Sequence, residues 1–231
     1  MRTLLAATVL LFAAQTMAQT WQWSKHVGGP GSDGMAIGAV DVDGNSYTCG
    51  IYAADAFQST YSGCYFDEDT LTGNRDAFLA KYSATGDLVW LRDIQCPGFP
   101  SVGPLVLDSA NAVFYLIGSF QWNCVLDTCT VSSALGGGVF LSKWNLDGHC
   151  LWARTIATSG LPWGQDGVIA GGLVLDGNGE LFVSLRGDPN GPCLADGQLM
   201  EAGTFFGKYN SNGDLLWLKP FTAISGLQKS I

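Results

Sequence analysis

One pattern is written three times along this chain, and it leaves few folds open. Lys81, Gly86 and Trp90 stand at the same mutual spacing as Lys143, Gly148 and Trp152, and as Lys208, Gly213 and Trp217. Trp23 opens a related stretch, so the tryptophans step by 67, 62 and 65 residues. Self-similarity at such a period signals a repeat architecture, in which one supersecondary unit leans on copies of itself. The segment before each Gly alternates: Phe78, Ala80 and Tyr82; Phe140, Ser142 and Trp144; Phe205, Gly207 and Tyr209. A period of two is that of a strand. The face reads aromatic, small, aromatic, and the small residue leaves a dent that a ring from another sheet is expected to fill. Lys81, Lys143 and Lys208 fall on the opposite face, where a stem along apolar surface with its ammonium in water is the ordinary arrangement.

A second element recurs between these segments. Val40–Asp41, Leu107–Asp108 and Leu175–Asp176 each end an apolar run and lead into a Gly, Asn or Ser turn, followed by another β-rich run. That is a hairpin signature. Each repeat therefore holds two hairpins, or four strands, over about 29–94, 95–156 and 157–221. A four-stranded sheet with two apolar faces must stack on its neighbours. The expected fold is all-β: a β-propeller-like stack of about three four-stranded blades, incomplete or open. Rings of this kind hold ~4–8 blades. A truncated piece of a larger protein, or self-association through exposed blade faces, is therefore expected.

These motifs resemble the bacterial seven-bladed β-propeller repeat (SBBP repeat) family. The first repeat carries the resemblance best, with Gly28, Gly29, Gly31 and Asp33, then Asp41, Gly44, Asn45, Tyr47 and Gly50, then Asp76, Phe78, Lys81 and Tyr82. The third keeps Gly164, Asp166, Asp176 and Asn178. The second departs from it, with Pro97 and Pro100 in place of the glycine loop and Gly138 in place of Asp76. The resemblance implies an exported or envelope-associated bacterial protein and says nothing of activity.

The N-terminus agrees with export. Arg2, the apolar run Leu4–Ala14 and the small residue Ala18 match a cleaved signal peptide over 1–18, leaving 19–231 as the repeat region. The run is too short to span a bilayer, which takes ~20 apolar residues. The expected location is secreted or cell envelope. Seven cysteines can oxidise there. Cys124 and Cys129 are close enough to bridge a loop, and several cysteines can equally serve as small buried residues.

Chemistry is sparse. A net charge of −9 argues against nucleic acid. Asp41, Asp43 and Asn45 resemble a calcium loop, but Gly44 comes too early for an EF-hand, and a hairpin turn explains the same residues. No phosphate loop or nucleophile elbow is present. His26 and His149 have no counterparts in the other repeats. Asp33, Asp76 and Asp166 are the carboxylates available to a glycosidase, though fixing a glycine-rich loop explains them too. The leading expectation is a non-catalytic binding or surface-display module without cofactor or metal. It would take a protein or carbohydrate ligand on the long stretches Asp55–Arg75 and Phe120–Gly137. Tyr61, Tyr65 and Trp122 are the ligand-contact candidates. The alternative is a propeller-type enzyme, a glycoside hydrolase or quinone-dependent dehydrogenase, with Asp33, Asp43, Asp166 and Asp176 converging on a pore.

Overall fold

A computed structural model describes residues 22–29, 31, 33–52, 63–72, 76–96, 100–159, 168–187, 193–200 and 203–221. Among them the chain is all-β and antiparallel, with no helix. The first repeat contains β1 (Val27–Gly28), β2 (Gly34–Val40), β3 (Ser46–Tyr52), β4 (Cys64–Phe66), β5 (Asp69–Leu71), β6 (Asp76–Tyr82) and β7 (Leu88–Gln95). The second contains β8 (Ser101–Asp108), β9 (Val113–Leu126), β10 (Cys129–Asn145) and β11 (Cys150–Ser159). The third contains β12 (Ile169–Leu175), β13 (Leu181–Gly187), β14 (Cys193–Ala195), β15 (Gln198–Met200), β16 (Gly203–Tyr209) and β17 (Leu215–Phe221).

Each repeat builds one four-stranded meander: β2–β3–β6–β7, β8–β9–β10–β11 and β12–β13–β16–β17. The same turn chemistry closes five of the six principal hairpins. Ser83, Asn145 and Asn210 accept, on one side-chain oxygen, the N–H groups two and four residues ahead. Asp41 and Asp176 do the same in the other hairpin of their units. These side chains mimic a backbone turn. A glycine follows at the third place, with φ +88° at Gly86 and +78° at Gly148. Residues other than Gly, Asn and Asp rarely adopt that conformation.

Burial follows the strand alternation and joins consecutive units. Tyr47, Leu79 and Ile94 of the first unit share one core with Phe114, Leu116 and Trp144 of the second. Tyr115, Leu141 and Ile156 share another with Leu181, Val183 and Tyr209 of the third. Aromatic rings cross the first junction: Trp90 stacks on Phe114, which stacks on Trp144 with an interplanar angle of 5°.

Two expectations are corrected here. In the second and third units the dent at the small residue is met by a ring of its own strand and not by one from a neighbouring sheet. Trp144 donates its Nε1–H to Ser142 at 2.9 Å, and the Tyr209 ring lies against Gly207. The described parts of the long stretches 55–75 and 120–137 contain strands. Residues 64–71 form the β4–β5 hairpin, 124–131 lie at the far end of the β9–β10 ribbon, and 193–200 form β14–β15 in the third unit. We call these hairpins arms. The last two pair with a strand of the preceding repeat, β9 with β7 at Ile94 and Gln95 and β14 with β11, while β4 pairs with β1, just after Trp23. The first two units are thereby hydrogen-bonded into one ten-stranded network, which also takes in β14 and β15.

Candidate functional site

The carboxylates come first, because they decide whether acid–base chemistry or metal binding has material to work with. Asp33 accepts the Gly29 N–H at 2.6 Å, and Asp76 accepts the Cys96 N–H at 3.0 Å, so both fix loops. Asp41 Oδ1 accepts from the backbone of Asp43 and Asn45, and Oδ2 accepts from the Asn45 amide and the Tyr47 hydroxyl. Burial pushes the Asp41 carboxyl up, but these hydrogen bonds outweigh it and hold it below the usual carboxylate range. Both Asp41 oxygens are therefore engaged in the turn that suggested calcium. Asp176 repeats the arrangement, held low by the Glu180 and Asn178 N–H groups, and Asp43 is an exposed turn residue that contributes its backbone. Asp166 lies outside the described residues.

The caps carry a pH dependence. Asp41, Asp176 and Asp214 sit low in the folded chain; Asp214 is held mainly by the Asn210 amide. A carboxyl lowered by folding contributes stability above its unfolded value, about 3.9, and loses it as pH falls through the folded value. Asp196 is raised by burial and has the opposite sign, but it is one group against three. The urea midpoint is expected to fall from about pH 5 to about pH 3, and Asp41→Asn to flatten that fall. A midpoint that rises over this window would contradict the assignment.

The recurrent lysines lie over rings. Lys81 stands 5.0 Å from the Tyr47 centroid, Lys143 5.4 Å from Tyr115 and Lys208 5.1 Å from Phe182. Each lysine also pairs in register with the tryptophan of its own unit. The ladder aromatic–Lys–Trp thus crosses three strands, and the cation rests on a π-face as well as beside apolar stem contacts.

The tryptophans make the junctions. A Cβ on Gly86 would meet Trp23 at 2.7 Å, one on Gly148 would meet Trp90 at 2.9 Å, and one on Gly213 would meet Trp152 at 2.7 Å. Each indole therefore seats on the glycine turn of the unit that follows it. Trp23 and Trp90 also donate Nε1–H to Ala84 O and Leu146 O, at 3.0 Å each. Between the second and third units Lys143 reaches the equivalent carbonyl of Ser211, and Trp152 Nε1 has no partner among the described residues. A cation two residues past each indole joins in. Lys25 pairs with Asp67, Arg92 donates to Asp147 O and Gly148 O, and Arg154 pairs with Asp214.

The arms carry four of the seven cysteines, Cys64, Cys124, Cys129 and Cys193. Cys64, Cys124 and Cys193 each start a Cys-x-x-Asp run. The aspartates Asp67, Asp127 and Asp196 take positive φ in the arm turns. Cys124 is disulfide-bonded to Cys96, just past β7 of the preceding unit, and Cys129 to Cys150 within the second unit. The sequence-adjacent pair Cys124 and Cys129 is therefore not the bridge: the two side chains belong to opposite strands of the arm and face different neighbours. Burial pushes the Cys64 thiol up to about 11 and the Cys49 thiol up to about 12, which keeps both unreactive at neutral pH.

Of the three ligand-contact candidates, Tyr61 lies outside the described residues. Tyr65 is 54% exposed on β4, in the β1–β4–β5 sheet. Trp122 is 50% exposed on β9, at the base of the second arm in the large sheet, so the two rings sit on different sheets. Trp122 has φ +60°, an outlier for an aromatic residue. The reason is local. Asn123 pairs with Ser132 and Gln121 with Gly137, so Trp122 stands alone opposite the four residues 133–136. The bulge turns the strand, and Ser133 closes it by donating to Gly137 O at 2.7 Å. The result is an exposed indole on a strained backbone, flanked in the chain by the amides of Gln121 and Asn123. No family model and no curated protein matches this chain.

Proposed function

We propose that this chain is an exported, non-catalytic repeat scaffold of the SBBP type, a propeller-like stack of four-stranded blades that binds carbohydrate through Trp122. The observation that carries the reading is the Trp122 indole, exposed while its backbone is held in the left-handed region. Backbone strain of that kind costs ~1–3 kcal/mol and concentrates at functional sites. An indole offers a flat apolar face to the C–H face of a pyranose, and neighbouring amides suit its hydroxyls. The repeated seating of Trp on a glycine turn supports a stack of like units as the rigid support. Two disulfides support an oxidising, non-cytoplasmic compartment. No helix among the described residues is long and apolar enough to cross a membrane.

Affinity electrophoresis through gels containing a β-1,3-glucan, a xylan or soluble chitooligosaccharides tests the reading. The wild-type chain is expected to be retarded by at least one of them. Trp122→Ala is expected to weaken that retardation about tenfold, in line with the loss of one stacking contact of ~1–1.5 kcal/mol. Mobility unaffected by every gel, or equal retardation of the variant, overturns it.

A further inference from the structure

Among the described residues, the outer face of the third unit carries junction residues that are exposed. Leu79 and Ile94 of the first unit, and Leu141 and Ile156 of the second, are fully buried against the unit that follows. Phe206 and Phe221 hold the same places in the third unit by register and by spacing from Trp217, and they are 41% and 62% exposed. Trp217 and Lys219 repeat the indole and the cation two residues on, and Lys219 lies over its own Trp217 ring at 5.1 Å, as Arg92 lies over Trp90 at 5.5 Å. This face carries the seating apparatus of the two inner junctions.

The chain also contains a turn able to receive it. Gly148 and Gly213 are covered by Trp90 and Trp152, which belong to complete meanders. Gly86 is covered by Trp23, whose segment has, among the described residues, only the two paired residues of β1, joined to β4. By contrast β17 is paired along its length with β16. The two end faces depart from the inner junctions in matching ways. The first unit has Ser46 and Thr48 where the second has Phe114 and Leu116, and the Ser46, Thr48 and Tyr82 hydroxyls are buried without partners among the described residues. The third unit has Ser184 and Thr204 where the second has Ile117 and Val139.

We propose that a second copy of this chain occupies the open face of the third unit: Trp217 of one copy seats on the Gly86 turn of the next, in the place held by that copy's own Trp23. Phe206 and Phe221 are buried by the contact, and hydroxyls meet hydroxyls across it. Lys219 swings to the turn carbonyls, as Arg92 does at the first junction. The contact is head-to-tail, so it grows by addition of copies. Trp23 is its intramolecular competitor, and this sets the proposal apart from general stickiness. It stands on the junctions and not on the carbohydrate reading.

Sedimentation velocity over a concentration series, on the disulfide-intact chain, tests it. Wild type is expected to self-associate. Trp23→Ala is expected to lower the concentration of half-association at least tenfold, and Trp217→Ala to leave a monomer. Lys219→Glu, an exposed change that does not touch the core, is expected to weaken association at least tenfold and to keep the far-ultraviolet spectrum. Trp122→Ala is expected to associate as wild type, so the two proposals fail separately. The inference is overturned if Trp23→Ala associates no more tightly than wild type, or if Lys219→Glu associates just as tightly.

Discussion

Trp144→Ala is expected to destabilise the chain by about 3–5 kcal/mol, the usual cost of emptying a large aromatic site in a core. Trp144 is fully buried, stacks on Phe114 and donates to Ser142, which in turn donates to Leu116 O. The truncation removes a ring from the middle of the first junction, where Phe114 also touches Tyr47 and Trp90 of the preceding unit. Neighbouring backbone is held by strand pairing on both sides, so the cavity cannot collapse. For a chain of this size each kcal/mol moves the thermal midpoint by about 2–4 °C, so a fall of roughly 10 °C is expected. Trp144→Phe keeps a stacked ring and leaves Ser142 its bond to Leu116 O. Its expected cost is about 1–2 kcal/mol, the value of one buried hydrogen bond with a small volume loss. Urea denaturation of both variants checks the order, and equal losses would mean that the ring stack contributes little.

Loss of the Cys96–Cys124 disulfide is the second large effect, expected at about 3 kcal/mol for the double variant Cys96→Ala with Cys124→Ala. Both residues are fully buried, and they join two units at the place where β7 meets β9. Two effects add. The unfolded chain regains the freedom of a closed loop, and the arm loses the anchor beside its two-residue pairing at Ile94 and Gln95. Cys129–Cys150 lies within one unit, so its removal is expected to act more locally. Hydrogen exchange separates the two. The Cys96–Cys124 variant is expected to lose protection at Ile94 and Gln95, while β10 and β11 stay protected. Unchanged protection at Ile94 and Gln95 would show that the arm holds without the bridge.

Much of the candidate site was legible, but not its geometry. The exposed Trp122 stands in a stretch already marked for contact. Its left-handed backbone was not foreseeable, because it follows from a pairing in which one residue of β9 opposes four of β10. The arms left a sequence trace in the three Cys-x-x-Asp runs, which the count of two hairpins per repeat passes over. The loop-fixing role of Asp33 was readable from its glycine-rich context, and its carboxylate accepts the Gly29 N–H; Asp76 opens β6, and its bond from the Cys96 N–H joins residues twenty apart, which its local sequence does not announce.

Local physics explains what the sequence alone determined. The alternation of Phe78, Ala80 and Tyr82 sets a strand because side chains on a pleat repeat every two residues. Asp41, Ser83, Asn145, Asp176 and Asn210 set the turns because a short side-chain oxygen reaches N–H groups two and four residues ahead. These interactions span at most a few residues and recur wherever the letters recur, so three four-stranded meanders could be read directly. Tertiary structure decided what lies between units: that each indole seats on the next glycine turn, that the last two arms reach back to the preceding repeat, and that Cys124 meets Cys96 rather than Cys129. Those contacts join residues up to about sixty positions apart. They depend on how twisted sheets fit against one another, and side-chain period and turn chemistry carry no record of that fit.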